Sequence, residues 1–271
     1  LTPPAQGKTA TENPTAGGAD SLLGFLSKDL LPWVDHRYRT TSLHLLAGHS
    51  FGGLFALRAA SAEPSPFRIV IAMSPSLWWN DSSAVAEYAG RLLQRQTPVT
   101  LFVTSGSLEP VIDQPTSHLV AWLDSVSHPM VAMTYRRYLG DGHGLTPFYS
   151  LADGLRNSFA SLAVPLDSTH ATLTSPTRAD SASFAAALAS LEARYAEAAK
   201  ALDCPPTFPE AAMNTFGYIT LEAYPRLAVS IFRTNVQRYP ESANAYDSLG
   251  DGLLAVNDTV GAVAALRQAI A

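Results

Sequence analysis

The sequence holds a single cysteine, Cys204, in 271 residues. That excludes an internal disulfide and any Cys-rich metal cluster, and Cys204 itself reads as a small, half-buried apolar residue. Charge is also sparse: 18 Lys and Arg face 23 Asp and Glu, together 15% of the chain, for a net charge of −5. No basic block could follow a phosphate backbone, which argues against nucleic acid as a partner. No apolar run approaches the roughly 18 residues of a membrane-spanning helix, so a soluble chain without membrane contact is expected. The sequence begins at Leu1 and lacks a charged segment followed by an apolar one. A signal peptide is therefore expected to be removed or never present, and the compartment stays open.

What is present is a composition that folds: 47% hydrophobic residues with 17 Gly and 19 Pro. The length suits one large domain or two ordinary ones. Residues 1–20 show no periodicity and read as an irregular arm; Asp20 then opens a helix with Leu22, Leu23, Leu26, Leu30 and Val34 on one stripe. Short apolar runs at 42–47, 67–73, 99–104 and 130–138 read as strands, and 51–60, 84–94 and 117–127 as helices. This alternation predicts an α/β domain over 1–163, built on a mostly parallel sheet. Residues 164–180, rich in Pro, Ser and Thr, read as a linker. From 181 to 271 no strand of comparable strength follows. Phe184, Leu188, Leu191, Tyr195, Ala199 and Leu202 mark one helical stripe, and the rest carries an internal repeat. Phe216-Gly217 falls on Leu249-Gly250 at an offset of 33, and Ala228 and Phe232 fall on Ala262 and Leu266 at 34. A period near 34 predicts tetratricopeptide-like helical hairpins, with Pro240 closing the first copy and residues 256–258 forming the turn of the second.

The motif Gly48-His49-Ser50-Phe51-Gly52 fits G-x-S-x-G and lies between a strand and a helix. In that setting the glycines permit a strained turn that lifts a serine hydroxyl above the sheet. A serine needs a base to take its proton and an acid to hold the base in one tautomer. Glu109 is the first carboxylate after the 99–104 strand, with Asp113 the alternative four residues on. Of the seven histidines, His143 in the Gly140–Gly144 loop follows the last strand and is the candidate base. Asp141 and His143 lack further ligands at metal-binding spacing, so no metal is expected. The glycines at 48–53 match neither a phosphate loop nor a dinucleotide fingerprint, so no cofactor is expected.

Residues 43–54 (LHLLAGHSFGGL), 74–79 (SPSLWW), 106–109 and 142–147 (GHGLTP) resemble the esterase family of α/β-hydrolases that contains enterochelin-esterase-like and esterase-D-like enzymes. Residues 243–250 (ANAYDSLG) resemble members with a tetratricopeptide tail. The resemblance implies Ser50 as nucleophile, Glu109 as acid, His143 as general base and the Phe51 backbone N–H as one oxyanion donor. It also implies that Trp78 and Trp79 lie near the active-site mouth, with Phe148 and Tyr149 close by; His49, inside the turn, is a further candidate for substrate binding. Family members carry additional strands, and the loop for a second oxyanion donor, ahead of the segment aligned with Leu1. An N-terminally incomplete sheet with an open edge is accordingly expected, and one missing donor costs about 10²–10³ in rate.

These observations imply a serine carboxylic-ester hydrolase acting on a small, short-chain ester. The alternatives are an inert hydrolase-fold scaffold that binds a partner through its helical repeats, and a siderophore-lactone hydrolase. Two hairpins are fewer than the roughly three repeats that stack stably, and the last helix ends without a polar cap. Self-association or docking of the tail on the first domain is therefore expected.

Overall fold

The computed structural model describes residues 1–126, 128–163, 181–202 and 204–271. The expected linker at 164–180 lies outside them, as do His170 and the side chain of Phe184. The chain divides into two compact units, Leu1–Ala160 with Leu202–Cys204, and Ser161–Ala201 with Pro205–Ala271. No helix among the described residues is long and apolar enough to cross a membrane.

The first unit opens with a short helix, α1 (Gly7–Glu12), where an irregular arm was expected. Helix α2 (Ala19–Phe25) passes through a π-helical turn, Leu26–Leu30, into α3 (Leu31–Arg37). The extra residue of a π turn shifts the phase of the stripe. Leu23, Leu26 and Leu31 pack against the core, rather than Leu30 as a regular helix would place it. Four strands follow, β1 (His44–His49), β2 (Phe67–Met73), β3 (Val99–Gly106) and β4 (Val131–Tyr138), in the spatial order β1-β2-β3-β4 and all parallel. Helices α4 (Phe51–Ala60), α5 (Ser83–Leu92) and α6 (Pro110–Ser125) make the three crossovers, and α7 (Thr146–Ser158) follows β4.

Strand identity follows burial. In β2 (FRIVIAM) every residue but Arg68 is buried, as a central strand covered on both faces requires; burial of each Val, Ile, Phe or Met side chain there contributes about 1.5–3 kcal/mol. Val70, Ala72, Leu101 and Val103 face the core shared with α4, α5 and α6, while Ile71, Met73 and Phe102 face the other side. There α7 brings Gly154 against Ile71, and Ser150 Oγ to 2.7 Å from Thr104 Oγ1. Strand β4 alternates half-buried Val131, Met133 and Tyr135 with exposed Ala132, Thr134 and Arg136, the pattern of an edge strand.

Helix α6 starts at Pro110, seven residues ahead of the expected position. Pro115 suggests a helix break, yet Ile112, Pro115, Thr116, Leu119, Val120 and Leu123 form one buried stripe. Burial of that face outweighs the single backbone hydrogen bond a proline removes. Asp113 consequently lies in the first helical turn, not in a loop.

The second unit is helical throughout its described residues: α8 (Ser181–Ala201), α9 (Glu210–Leu221), α10 (Pro225–Arg238), α11 (Ala243–Ala255) and α12 (Thr259–Ala269), following a short 3-10 turn at Ala160–Leu162. Leu191 of α8 joins Phe208, Ala212, Met213, Phe216 and Ile231 in one core; Val229, Leu253, Ala262 and Ala265 form the next. The repeated glycines carry a repeated contact. A Cβ on Gly217 would collide with the Phe232 ring, and one on Gly250 would come within 2.8 Å of Leu266. Asp258 accepts the Gly261 N–H at 2.9 Å and so caps α12 at the turn the repeat pattern marks.

Candidate active site

Parallel strands in register end on one rim. Gly48 pairs with Ala72 and His49 with Met73, while Met73 pairs with Thr104, and Thr104 with Arg136. Residues just beyond β1, β2, β3 and β4 therefore gather at the C-terminal edge, where open α/β sheets bind ligands.

Ser50 sits between β1 and α4 at φ 60°, ψ −120°, a conformation a non-glycine residue rarely adopts. The neighbouring glycines make it feasible. A Cβ on Gly48 would overlap the Gly52 carbonyl, and one on Gly53 would lie 2.9 Å from Pro75 Cα. The Ser50 N–H donates to the Met73 carbonyl at 3.0 Å, and its carbonyl accepts the Ser76 N–H at 3.0 Å. The Ser50 hydroxyl lies 3.2 Å from that of Ser76.

Glu109, 8% exposed, precedes the first turn of α6. Its Oε1 accepts the Gly106 N–H at 2.5 Å and the Ser74 hydroxyl at 2.5 Å; its Oε2 lies 2.6 Å from His143 Nδ1. The loop that carries His143 is tied to the Glu109 loop at two points. Leu108 N–H donates to the Asp141 carbonyl at 3.0 Å, and Gly140 N–H to the Ser107 hydroxyl at 2.9 Å. The His143 side chain remains 41% exposed, open to a substrate.

Asp113 belongs to a different network. It accepts the Ser105 hydroxyl at 2.6 Å and Arg137 Nε at 2.9 Å, with Arg137 Nη2 at 2.8 Å. Burial opposes its ionisation, but the hydrogen bonds from Arg137 and Ser105, the Arg137 charge and the Tyr135 hydroxyl together hold its carboxyl below the usual range. Asp113 thus locks α6 to β3 and β4 and does not reach His143.

His49 packs its ring against His143, with centroids 4.3 Å apart and planes tilted by 38°. Its Nε2 is buried without a hydrogen-bond partner among the described residues. Burial lowers its basicity, as does the nearby charge of His143, against the opposing pull of its bond to the His143 backbone and of Glu109. The His49 imidazole thus favours its neutral form where it stands against His143. The two tryptophans part company. Trp78, 39% exposed, lies 5.6 Å from the Phe51 ring, whereas Trp79 is 3% exposed and packs edge-on against Phe51 at 5.5 Å within the core. Three consecutive left-handed residues, Asn80, Asp81 and Ser82, turn the chain directly after the pair. Only Trp78 can line a mouth; the expected role for Trp79 gives way to core packing. Phe148 is 73% exposed, and Tyr149 leans on Tyr138 at 5.9 Å.

Three contributors were not singled out by sequence reasoning: the Ser74 hydroxyl, the Ser76 hydroxyl and the Gly106 N–H. The available signal was Ser-Pro-Ser directly after a strand that ends on the same rim as Ser50. A cavity of about 210 Å³, lined by Leu93, Leu123, Val126, His128, Val131 and Met133 among others, holds none of the site residues. Among the described residues no three His, Cys, Asp or Glu side chains gather as a metal site.

Residues 3–159 match the model of the family described as "Putative esterase". A siderophore triacetylfusarinine C esterase of Aspergillus fumigatus is 36% identical over 131 residues, 48% of this chain and 39% of that protein. A siderophore enterobactin esterase of Emericella nidulans is 40% identical over 91 residues, 31% of this chain and 29% of that protein. The chain thus spans less than half the length of these relatives. The crystal structure of an IroE-like serine hydrolase from Shewanella oneidensis superposes with a TM-score of 0.71 over 88% of this chain and 74% of that one. At 17% identity this is a likeness of fold. The parallel sheet with flanking helices is α/β-hydrolase-like, and, with the family model matching more than half of its residues, the chain belongs to this esterase family.

Proposed function

We propose that the chain is a serine carboxylic-ester hydrolase working through an acyl-enzyme on Ser50. The observation that carries this reading is the Glu109–His143 pair at 2.6 Å, held on the rim where Ser50 stands in its left-handed turn. Ser50 Oγ attacks the ester carbonyl while His143 takes its proton, and Glu109 holds the Nδ1–H and stabilises the imidazolium that forms. The Phe51 N–H, at the start of α4, donates to the oxyanion. Collapse breaks the C–O bond, and the alcohol leaves with the proton from His143. Water, deprotonated by His143, then cleaves the acyl-enzyme, releasing the acid and regenerating Ser50.

The substrate class we put first is a small, short-chain ester flanked by Phe51 and Trp78. The names of the relatives support a second, the ester or lactone bonds of a siderophore. The helical unit reads as tetratricopeptide-like, because the Gly217–Phe232 and Gly250–Leu266 contacts recur at the spacing of that repeat. We take that unit as the surface for self-association or protein contact, which light scattering of the purified chain tests.

Hydrolysis of p-nitrophenyl esters, together with phosphonate labelling, tests the reaction. Ser50→Ala is expected to lower kcat by about 10⁶-fold and to abolish labelling; full activity in that variant would overturn the reading. Comparing kcat/KM on simple esters with that on ferric and metal-free siderophores decides between the substrate classes.

A further inference from the structure

We infer that Ser74 is a positioning residue that aims the Glu109 carboxylate at His143, an inference that rests on the acyl-enzyme reading for its kinetic consequence. Ser74 follows β2 and is completely buried, at φ 43°. Glycine is the residue that suits such a backbone; serine is uncommon there. A side chain kept where the backbone favours having none points to a task for the hydroxyl. The structure shows one. Ser74 Oγ donates to Glu109 Oε1 at 2.5 Å, while the Ser74 N–H donates to the Thr104 carbonyl at 3.0 Å on β3, the strand that leads to Glu109.

The need for such a donor follows from the carboxylate. The last torsion of a glutamate side chain is broad, so staggered wells do not fix the plane of its carboxyl group. Hydrogen bonds must do so. Oε1 is held from two directions, by the Gly106 N–H and by the Ser74 hydroxyl, leaving Oε2 to face His143 Nδ1 at 2.6 Å. The Gly106 N–H alone leaves the group free to swing about that bond. Asp113 cannot substitute, because its oxygens are engaged by Ser105 and Arg137. The bond between Ser74 and Glu109 spans 35 positions of sequence, so it fixes the acid from the neighbouring strand and independently of the acid's own loop.

The test compares the full chain with Ser74→Gly, Ser74→Ala, Glu109→Gln and the double variant Ser74→Gly/Glu109→Gln. Two readouts are used: kcat and KM on a p-nitrophenyl ester, and the far-downfield proton resonance of a histidine Nδ1–H bound to a carboxylate, assigned to His143 by its loss in Glu109→Gln. Ser74→Gly and Ser74→Ala are each expected to lower kcat by about 10²-fold through misplacement of the base, with KM unchanged. They should also shift or broaden the downfield proton. Ser74→Gly, which relieves the backbone, should not lower the melting temperature. The double variant should be no slower than Glu109→Gln, since residues that act as a unit do not add. If esters are hydrolysed but Ser74→Gly leaves kcat and the resonance as in the native chain, or if the two losses multiply, the inference is overturned while the esterase reading stands. If no ester is cleaved but the resonance of the native chain is lost in Ser74→Gly, the positioning role stands and the esterase reading falls.

Discussion

The two units of this chain assemble contacts in opposite ways. In the first, Ser50, Ser74, Glu109 and His143 follow the ends of four different strands and lie along one rim because parallel strands finish there, with Ser74, Glu109 and His143 joined by hydrogen bonds. In the second, the same glycine-to-bulky-residue contact occurs twice, Gly217 with Phe232 and Gly250 with Leu266, each between helices adjacent in the chain. A repeat distributes stability over equivalent local contacts, whereas a convergent site concentrates its effect in a few long-range hydrogen bonds. Substitutions at the rim carboxylate Glu109 and at the repeated glycines should therefore separate the units: loss of rate with little loss of fold at the first, loss of fold with little loss of rate at the second.

The largest expected separation is at Glu109. Glu109→Gln should lower kcat by about 10⁴-fold, by analogy with removing the charge of a triad acid, while circular dichroism shows a folded chain. Asp113→Asn should stay within a few-fold of native turnover; the opposite ranking would exchange the two carboxylates. Next comes Gly217→Ala, which pushes a methyl group into the buried Phe232 ring and should cost about 1–3 kcal/mol in urea unfolding of the helical unit. Gly250→Ala meets the flexible end of Leu266 and should cost less. Turnover per folded molecule should hold in both, and a large fall in kcat would break the contrast.

Asp113→Asn should cost about 1–2 kcal/mol at pH 7 through loss of charged hydrogen bonds. Because its folded carboxyl is held below the ordinary value, the native stabilisation is present above about pH 4 and is lost as pH falls through the folded value. Below about pH 4 the gap between native and variant should close, which acid unfolding curves would show. The smallest effect belongs to His49. The folded state resists protonation of its imidazole, so the unfolded chain binds more protons as pH drops below about 6.5, and stability falls. His49→Gln should flatten that segment of the stability profile, measured by thermal melts between neutral and mildly acidic pH.

What could be read from the sequence was local. Strand β2 and helix α4 fall where the apolar run 67–73 and the stretch after Ser50 place them, because a fully apolar strand and a Gly-rich turn carry their own signals. The spacing that aligns Gly217 with Gly250 reappears as the two matching contacts. Residues whose surroundings come from elsewhere in the chain were harder. Ser74 gains its partner from a loop 35 positions away. Asp113 stood as the alternative acid because the helix was expected only from 117, whereas the buried stripe of α6 extends it back to Pro110 and binds Asp113 to Ser105 and Arg137. Trp79 could not be told from Trp78, because which of two adjacent aromatic residues is buried depends on the core that Trp79 joins and Trp78 does not. Leu31 replaced Leu30 in the core through the π turn, which apolar periodicity alone does not reveal.

Helix α4 begins directly after Ser50 with Phe51-Gly52-Gly53-Leu54, and its first turn contains no acidic side chain. An α-helix carries about half a positive elementary charge at its N-terminus, which a nearby negative charge stabilises. In α4, as in most of the described helices, no acidic side chain stands there, and the end of the macrodipole lies beside the hydroxyl proposed as nucleophile. On the acyl-enzyme reading, the negative charge that answers it is the oxyanion, present only during bond making and breaking. On that reading the positive end of α4 meets its counter-charge in the transition state, where stabilisation accelerates the reaction instead of merely tightening ground-state binding.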